Sequence, residues 1–561
     1  MLTSSAVRHS SPDSATRPRN TRRQATPRAF CVAVVLVAGL ALFGMAFSIR
    51  AQALRGDDFA LVQAFTGQPF QRSLRRAFAS WDDVLGASPW AAGAEPYQLI
   101  RPTTGLSFFV NAEVCGAGPA CLAAGNVVLL LLAGAALCAA GRMIQLPQTA
   151  ALAAPVLFWV NPGAISSQLA IADRTEAIAG LALLAALLAY HKCRRAVSTG
   201  YWAVWFAAAV AASAAAMGAK ETAVLTPGIL VGQALILGDW RQRRRFFPGE
   251  VVVLLCLLLG YLAARAAVLG TVGGQYGSVT PGIADIPVNL VRAAGALLFF
   301  NRQHLPANPF VTTAVAGAIV SLVLIAAAEA RTSSLRRFAW IAFVAAAASA
   351  PALATQVFAR LLFIPAAMLT LTIALAAAAP QARLRQIAAF GAASLVLLNF
   401  LHIYATELRS MQVASRRTTV ELAALTRLVE QSPRPSVVIG FPAGAGGMAV
   451  FHRSFDVAIR ATATRAQQPI VGLIGSQTPQ PRCDVRIEFA SSTVAASTTP
   501  PCELVLPNYP GRPLADAAVA TRFTGLGPVT VESPTRVVVD VDRSQWDVIV
   551  PKAPGQWVRL E

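Results

Sequence analysis

Charge is scarce in this chain. Only 13 % of its 561 residues are Asp, Glu, Lys or Arg, and lysine is nearly missing, present at Lys192, Lys220 and Lys552 alone. Water-soluble domains carry about 25 % charged residues, so a soluble globular class is excluded. The eight cysteines show no spacing that would hold zinc. No internal repeat is visible, which sets aside solenoids and repeat arrays.

What is present is apolar: 55 % of residues are hydrophobic and the mean hydropathy is +0.55. Many runs approach the roughly 18–20 apolar residues that cross a bilayer as a helix. The expected class is a polytopic α-helical membrane protein. The formal net charge of +20 comes from arginines in the N-terminal tail and in short loops between apolar runs. That distribution is the positive-inside pattern and does not call for nucleic acid.

Taken in order, residues 1–29 hold Arg8, Arg17, Arg19, Arg22, Arg23 and Arg28 among Ser, Thr and Pro, and are expected to be a disordered cytoplasmic tail. Residues 30–49 are the first span. Ala51-Gln52-Ala53 resembles a signal-peptidase site, but the run is long for a signal segment and many spans follow, so an uncleaved helix is expected. Residues 51–120 form a long first external loop, with a helical stretch around Phe70–Trp81. Further spans fall near 122–141, 149–169, 177–190, 201–217, 222–237 and 249–269. The segment 288–300 is short; if it crossed, the basic loop Arg331–Arg337 would face outside, so it is expected to lie flat or re-enter. Spans near 311–329, 338–356, 361–379 and 386–404 complete about eleven and put the C-terminus outside. The transmembrane domain thus covers 30–404. Residues 405–433 read as a helical connector, and 434–561 as a small β-rich or α/β external domain with strands such as Ser436–Ile439 and Thr535–Asp540. Cys115/Cys121 and Cys483/Cys502 fall in external segments, where each pair is able to bridge.

The chemistry-bearing residues gather at the external span ends. Asp57 and Asp58 follow the first span, Asp173-Arg174-Thr175-Glu176 stands before the fourth, and Lys220-Glu221 before the sixth; Arg360 precedes the span at 361 and Gln303-His304 follows the short segment. Ion pairs fixing helix ends account for such residues one at a time. Beyond the aspartate pair, four clusters on one face, none of them asked for by positive-inside, point to a shared polar site. Transfer from an anionic lipid carrier needs this mix. A carboxylate takes a proton from an acceptor hydroxyl or binds a divalent cation, and cations neutralise the leaving phosphate.

These residues also carry a family resemblance. Asp57-Asp58-Phe59, then Tyr97-Gln98-Leu99-Ile100-Arg101-Pro102 through Ser107-Phe108 to Asn111, resembles the first external loop of GT-C-fold glycosyltransferases. The nearest are the dolichyl-phosphate-mannose-dependent protein O-mannosyltransferases and their bacterial relatives. Phe158-Trp159-Val160-Asn161-Pro162 with Ala172–Glu176, Ala219-Lys220-Glu221-Thr222-Ala223, and Phe358-Ala359-Arg360 through Pro365 resemble three further motifs of that family. Two departures stand: no tetratricopeptide repeats follow, and Ala359 occupies a glutamate position. The resemblance covers roughly residues 30–400. It implies a GT-C fold in a bacterial inner membrane, a polyprenyl-phosphate sugar donor, and inverting hexosyl transfer to an external glycan, lipid or protein hydroxyl. It further implies Asp58 or Asp57 as base, and Arg101, Asp173, Arg174, Glu176, Lys220, Glu221, His304 and Arg360 as donor-binding residues. The alternative is a transporter or flippase of lipid-linked saccharides. Transporters show inverted repeats and broken mid-membrane helices, and neither is visible in the sequence.

The topology is open to direct test. Alkaline phosphatase fused after Glu561 is expected to be active and after Arg244 inactive; the reverse pattern overturns the assignment of sides.

Overall fold

The computed structural model describes residues 28–55, 58–80, 99–242, 244–270, 286–298, 333–354, 359–377, 383–445, 448–451, 455–463, 468–477, 484–490, 492–506, 517–521, 523–553 and 555–560. Asp57, Tyr97, Gln303, His304, the expected span at 311–329 and Cys483 therefore lie outside the described residues.

The apolar runs fold as helices, as a bilayer requires, because only a helix satisfies every backbone group within one segment. The helices are α1 (Arg28–Ala51), α2 (Asp58–Phe65), α3 (Phe70–Ala77), α4 (Pro102–Cys115), α5 (Pro119–Met143), α6 (Gln148–Trp159), α7 (Pro162–Leu169), α8 (Arg174–Arg194), α9 (Thr199–Ala219), α10 (Thr226–Leu237), α11 (Phe247–Leu269), α12 (Ile286–Leu298), α13 (Ser333–Ala354), α14 (Phe363–Ala377) and α15 (Arg383–Glu430). Among the described residues five helices are long and apolar enough to cross a membrane, or six if the bent pair α6–α7 is one span. Segment 222–237 and α14 are apolar but shorter, and α12 is the short segment expected to lie flat. Helices α5, α6, α8 and α14 pack around Leu137, Phe158, Leu184 and Leu371, all fully buried. Small residues let neighbours approach: Gly180 of α8 lies where a Cβ would strike the Phe363 ring of α14. Helix α11 instead exposes Val252, Val253, Leu255 and Leu259, the surface of a lipid-facing helix.

Two features depart from the linear reading. The expected span at 149–169 is broken, bending by 57° between α6 and α7. Pro162 forbids the helical conformation before it, and Asn161 caps the new start by accepting from the Gly163 amide at 3.0 Å. The Gln168 side chain donates back to the Trp159 carbonyl at 3.4 Å, satisfying a backbone group the break sets free. Second, the last span and the expected connector are one helix, α15, of 48 residues. Nothing between Arg383 and Glu430 is Pro, and one Gly, Gly391, is tolerated.

The first external loop is built on three short helices, α2 (Asp58–Phe65), α3 (Phe70–Ala77) and α4. Helix α3 puts Arg72, Arg75 and Arg76 on one side and buries Ser73 and Ala77 on the other.

Beyond α15 stand two sheets. The first is mixed, ordered β11-β10-β1-β3-β6, with β1 (Ser436–Ala445) parallel to β10 (Asp547–Ala553) and β3 (Ile470–Gln477) and with β2 (Met448–Ala449) paired to β1; β6 is Glu503–Val505 and β11 Gln556–Leu560. The second is antiparallel, ordered β4-β5-β9-β8-β7, from Val485–Phe489, Thr493–Thr498, Arg536–Val541, Leu526–Ser533 and Ala517–Val519. Val437 and Ile439 of β1 face a core shared with Val529, Val537 and Val539 of the second sheet. Val438 and Phe441 face the other way, onto α16 (Phe455–Thr462), α15 and α2. Two residues that differ in parity share that face because Gly440, at φ +81°, carries a bulge between them. Phe59 of α2 stacks on Phe451 with ring centroids 6.3 Å apart, so the sheet region rests directly on the first external loop.

Glu421 of α15 locks that arrangement. Fully buried, it takes a hydrogen bond from the Trp557 indole at 2.5 Å, one from the Gly555 amide at 3.1 Å, and pairs with Arg417 at 2.6 Å. Glu421→Ala strands three donors and is expected to cost about 3 kcal/mol, read as protease cleavage in the 431–435 segment. Arg536→Gln breaks only exposed pairs and is expected to leave cleavage unchanged.

Candidate active site

Asp58 opens α2 and is buried, 2 % exposed. One carboxylate oxygen accepts the Arg55 amide at 3.1 Å, while the Asp58 amide donates to the Arg55 carbonyl at 3.0 Å. This reciprocal pair fixes the start of α2 as a capping box does. The other oxygen accepts the Ala172 amide at 2.8 Å. Gln52 adds a second tie by donating to the Gln168 carbonyl at 2.8 Å. The end of α1 and the start of α2 are thereby pinned to the turn from which α8 begins, the turn that carries Asp173-Arg174-Thr175-Glu176.

Arg174 is the centre of the next layer. It is 1 % exposed, and its guanidinium donates to Asn126 Oδ1 at 2.9 Å, to Asn111 Oδ1 at 3.1 Å, and to the Ser107 and Leu122 carbonyls at 3.3 and 2.7 Å. Phe108 lies under it at 4.1 Å. The first-loop motif residues Ser107, Phe108 and Asn111 thus converge on Arg174. Asn126 in turn donates to the Ser167 and Ala170 carbonyls at 2.9 and 3.1 Å. Arg174 joins α4, α5 and α8 and spends its donors on protein acceptors. Beside it Cys115 and Cys121 form the expected disulfide across the α4–α5 turn. Cys502 is disulfide-bonded as well.

Two residues further along α8, Glu176 forms a buried ion pair with Lys220, the residue that ends α9 in extended conformation. The next residue, Glu221, opens a single 3-10 turn (Glu221–Leu225) and receives both arms of Arg101, at 2.9 and 2.8 Å. Arg101 immediately precedes Pro102, the first residue of α4. Thr104 of the same helix donates to the Ala219 carbonyl at 3.1 Å, so α4 and the end of α9 are held in register. Arg265 of α11 lies 4.0 Å from Glu221, and its guanidinium also reaches the Tyr261 hydroxyl at 3.4 Å. The sequence reading passes over Arg265, although a lone arginine in an otherwise apolar run is the expected signal.

Among the described residues the result is a buried row of three cations, Lys220, Arg101 and Arg265, interleaved with two carboxylates, Glu176 and Glu221. A narrow crevice of about 30 Å³ opens beside it, walled by Glu176, Thr222, Leu361, Phe363 and Pro365. Arg360 belongs to the 3-10 turn Ala359–Leu362 that supplies Leu361 to this wall. Asp173 lies at the head of α8 and is half-buried. Among the described residues no three His, Cys, Asp or Glu converge as a metal site. The structure therefore brings together Asp58, Asp173, Arg174, Glu176, Lys220, Glu221 and Arg101 at one end of the bundle. A row of this kind can meet an anion, because carboxylate contacts hold the cations in fixed positions.

Neither a protein-family model nor a curated protein matches the chain. Two solved structures of ArnT from Cupriavidus metallidurans resemble it. The one bound to undecaprenyl phosphate aligns over 82 % of this chain and 96 % of its own at 14 % identity and a TM-score of 0.45. The apo form aligns over 82 % and 97 % at 15 % identity and a TM-score of 0.43.

The layers differ in what their loss should do. Arg174→Gln strands Asn126, Asn111 and two carbonyls and is expected to destabilise the protein by about 3–5 kcal/mol. In a detergent thermal melt it should fall well below Arg265→Gln. Equal melts would show that Arg174 is not the tie.

Proposed function

We propose that the protein is a GT-C-fold glycosyltransferase that moves a sugar from a polyprenyl-phosphate donor to a hydroxyl acceptor at the external face of an inner membrane. The observation that carries this reading is the buried row Glu176–Lys220–Glu221–Arg101–Arg265 at the end of an apolar bundle. A phosphate on a lipid tail is the anion whose tail and charge both suit that setting. The motif resemblance supports it independently, since the same motifs supply Asp58, Arg174, Lys220, Glu221 and Arg101.

In the proposed step the acceptor oxygen attacks the anomeric carbon. Its proton passes to an aspartate of the Asp57-Asp58 pair, the bond from the anomeric carbon to phosphate oxygen breaks, and polyprenyl phosphate leaves with the negative charge. Lys220, Arg101 and Arg265 stabilise that charge, with Arg360 and His304 as further donor contacts. Glu176 and Glu221 hold the cations in place, and Arg174 with Asp173 sets the start of α8. Asp58 is anchored by two backbone amides, which hold its carboxylate in a fixed position. Asp57 is its adjacent partner, able to share the proton or to bind a divalent cation.

One observation favours the second reading, a carrier of lipid-linked saccharides: the broken pair α6–α7 is the kind of discontinuity transporters use. Purified protein in vesicles with polyprenyl-phosphate sugar and a soluble acceptor separates the two. The transferase reading expects new glycoside, reduced about 10²–10⁴-fold by Asp58→Asn or Asp57→Asn and weakened in donor KM or kcat by Lys220→Gln. Sugar that crosses the bilayer without new glycoside would establish the carrier. Repeating the transfer with a chelator reads whether a divalent cation takes part.

A further inference from the structure

Helix α8 has 21 residues and is therefore about 30 Å long, the thickness of a bilayer core. Its first turn carries Arg174 and Glu176, and its last carries a second charged group. Arg194 is 1 % exposed and grips Glu250 of α11 with one amino group at 2.8 Å from both carboxylate oxygens. Tyr190 and the Trp202 indole donate to the same carboxylate at 2.8 and 2.7 Å. The other amino group of Arg194 donates to the Trp240 carbonyl at 2.8 Å. The turn Gly238–Arg241 is thus clamped onto α8, α9 and α11.

The clamped turn contributes Asp239 to a pocket of about 530 Å³, open between the ends of α5, α8, α10 and α13. Arg195, Arg336 and Arg337 line it, with His191 and Asp239 paired at 2.8 Å. Met143, Ile144 and Leu237 supply an apolar side. The wall is preformed. Gln145 is held at φ +60°, a conformation uncommon for a residue with a side chain. Its carboxamide oxygen accepts from Arg337 at 2.6 Å. Arg336 reaches the backbone at Gly238, within 3.5 Å of where a Cβ would stand. Three guanidinium groups and one carboxylate therefore line this pocket, and the transferase reading uses none of them.

We propose that this pocket binds the phosphate of an anionic glycerophospholipid in the leaflet at the arginine-rich end, which positive-inside makes the cytoplasmic one. The arginines take the phosphate oxygens, and Met143, Ile144 and Leu237 take the first part of an acyl chain. A soluble phosphate would need no apolar side, which favours the lipid. Basic pockets between helix ends on this side suit such head groups. The proposal stands apart from the transferase reading, because the two sites lie at opposite ends of α8.

The test uses the full-length protein in neutral detergent, with lipid binding followed by native mass spectrometry. Phosphatidylglycerol is expected to be retained over phosphatidylcholine. Its affinity is expected to fall about fivefold for each of Arg195→Gln, Arg336→Gln and Arg337→Gln, and less for the Arg→Lys changes, which keep the charge. Unchanged retention in the Gln variants, or equal retention of the two lipids by the wild type, overturns the proposal. So does full displacement of phosphatidylglycerol by inorganic phosphate, which would mark a soluble-anion site. The lipid comparison and the displacement use wild-type protein, so they decide the matter even where a variant fails to fold. Loss of sugar transfer has no bearing on any of these readings.

Discussion

Charge cannot be left alone inside an apolar bundle. An unpaired ion there costs several kcal/mol even after relaxation, so every arginine, lysine and carboxylate brought to depth must arrive with its partners. The two ends of α8 show that constraint in two forms. At one end Arg174 is absorbed by carbonyls and amides of α4 and α5, and Lys220, Glu221 and Arg101 form a row of alternating sign. At the other Arg194 and Glu250 satisfy one another almost completely, and the arginines that remain stand in an open pocket. Each group of partners comes from distant parts of the sequence, so the pairs that remove the penalty also fix which helices meet.

The site end adds a second level of dependence. Asp58 has few ways to move, because its oxygens answer to the Arg55 and Ala172 amides. Helix α2, which it begins, has its opposite face packed on Phe451 and its neighbours in the sheet region. The proposed base is therefore held between a membrane helix turn and the sheet region. Disturbing either should reach it.

Much of this was legible in the sequence, and the reasons divide cleanly. Apolar runs report helices because bilayer thickness and backbone satisfaction leave no other solution, so 30–49, 122–141, 177–190, 201–217 and 249–269 all correspond to long apolar helices. The clustering of Asp173–Glu176 with Lys220-Glu221 could be seen as charge on one side of the spans. What stayed hidden depends on contacts between distant segments. Arg174 stands in a motif with other charges and looks as available as Lys220; only the positions of Ser107, Asn111, Leu122 and Asn126 show that its donors are taken. The break at Asn161 is carried by a Pro that membrane helices often tolerate. The merging of the last span with its connector was obscured by the change from apolar to mixed composition near residue 405, which alters the helix's surroundings and leaves its backbone unaffected. The inversion at Gly440 needs a left-handed residue in a strand, and a lone glycine does not announce one.

The length of α15 has a mechanical meaning. A continuous helix of 48 residues is a strut about 72 Å long. Its lower part is sunk among α1, α7 and α14, and its upper part is bolted to β11 through Glu421. Such a helix curves gently and has no proline at which to kink sharply, so the sheet domain is carried by the helix and does not swing on a hinge within it. Under the proposed transferase reading, an acceptor would then reach the site past a fixed sheet domain, with no lid to open.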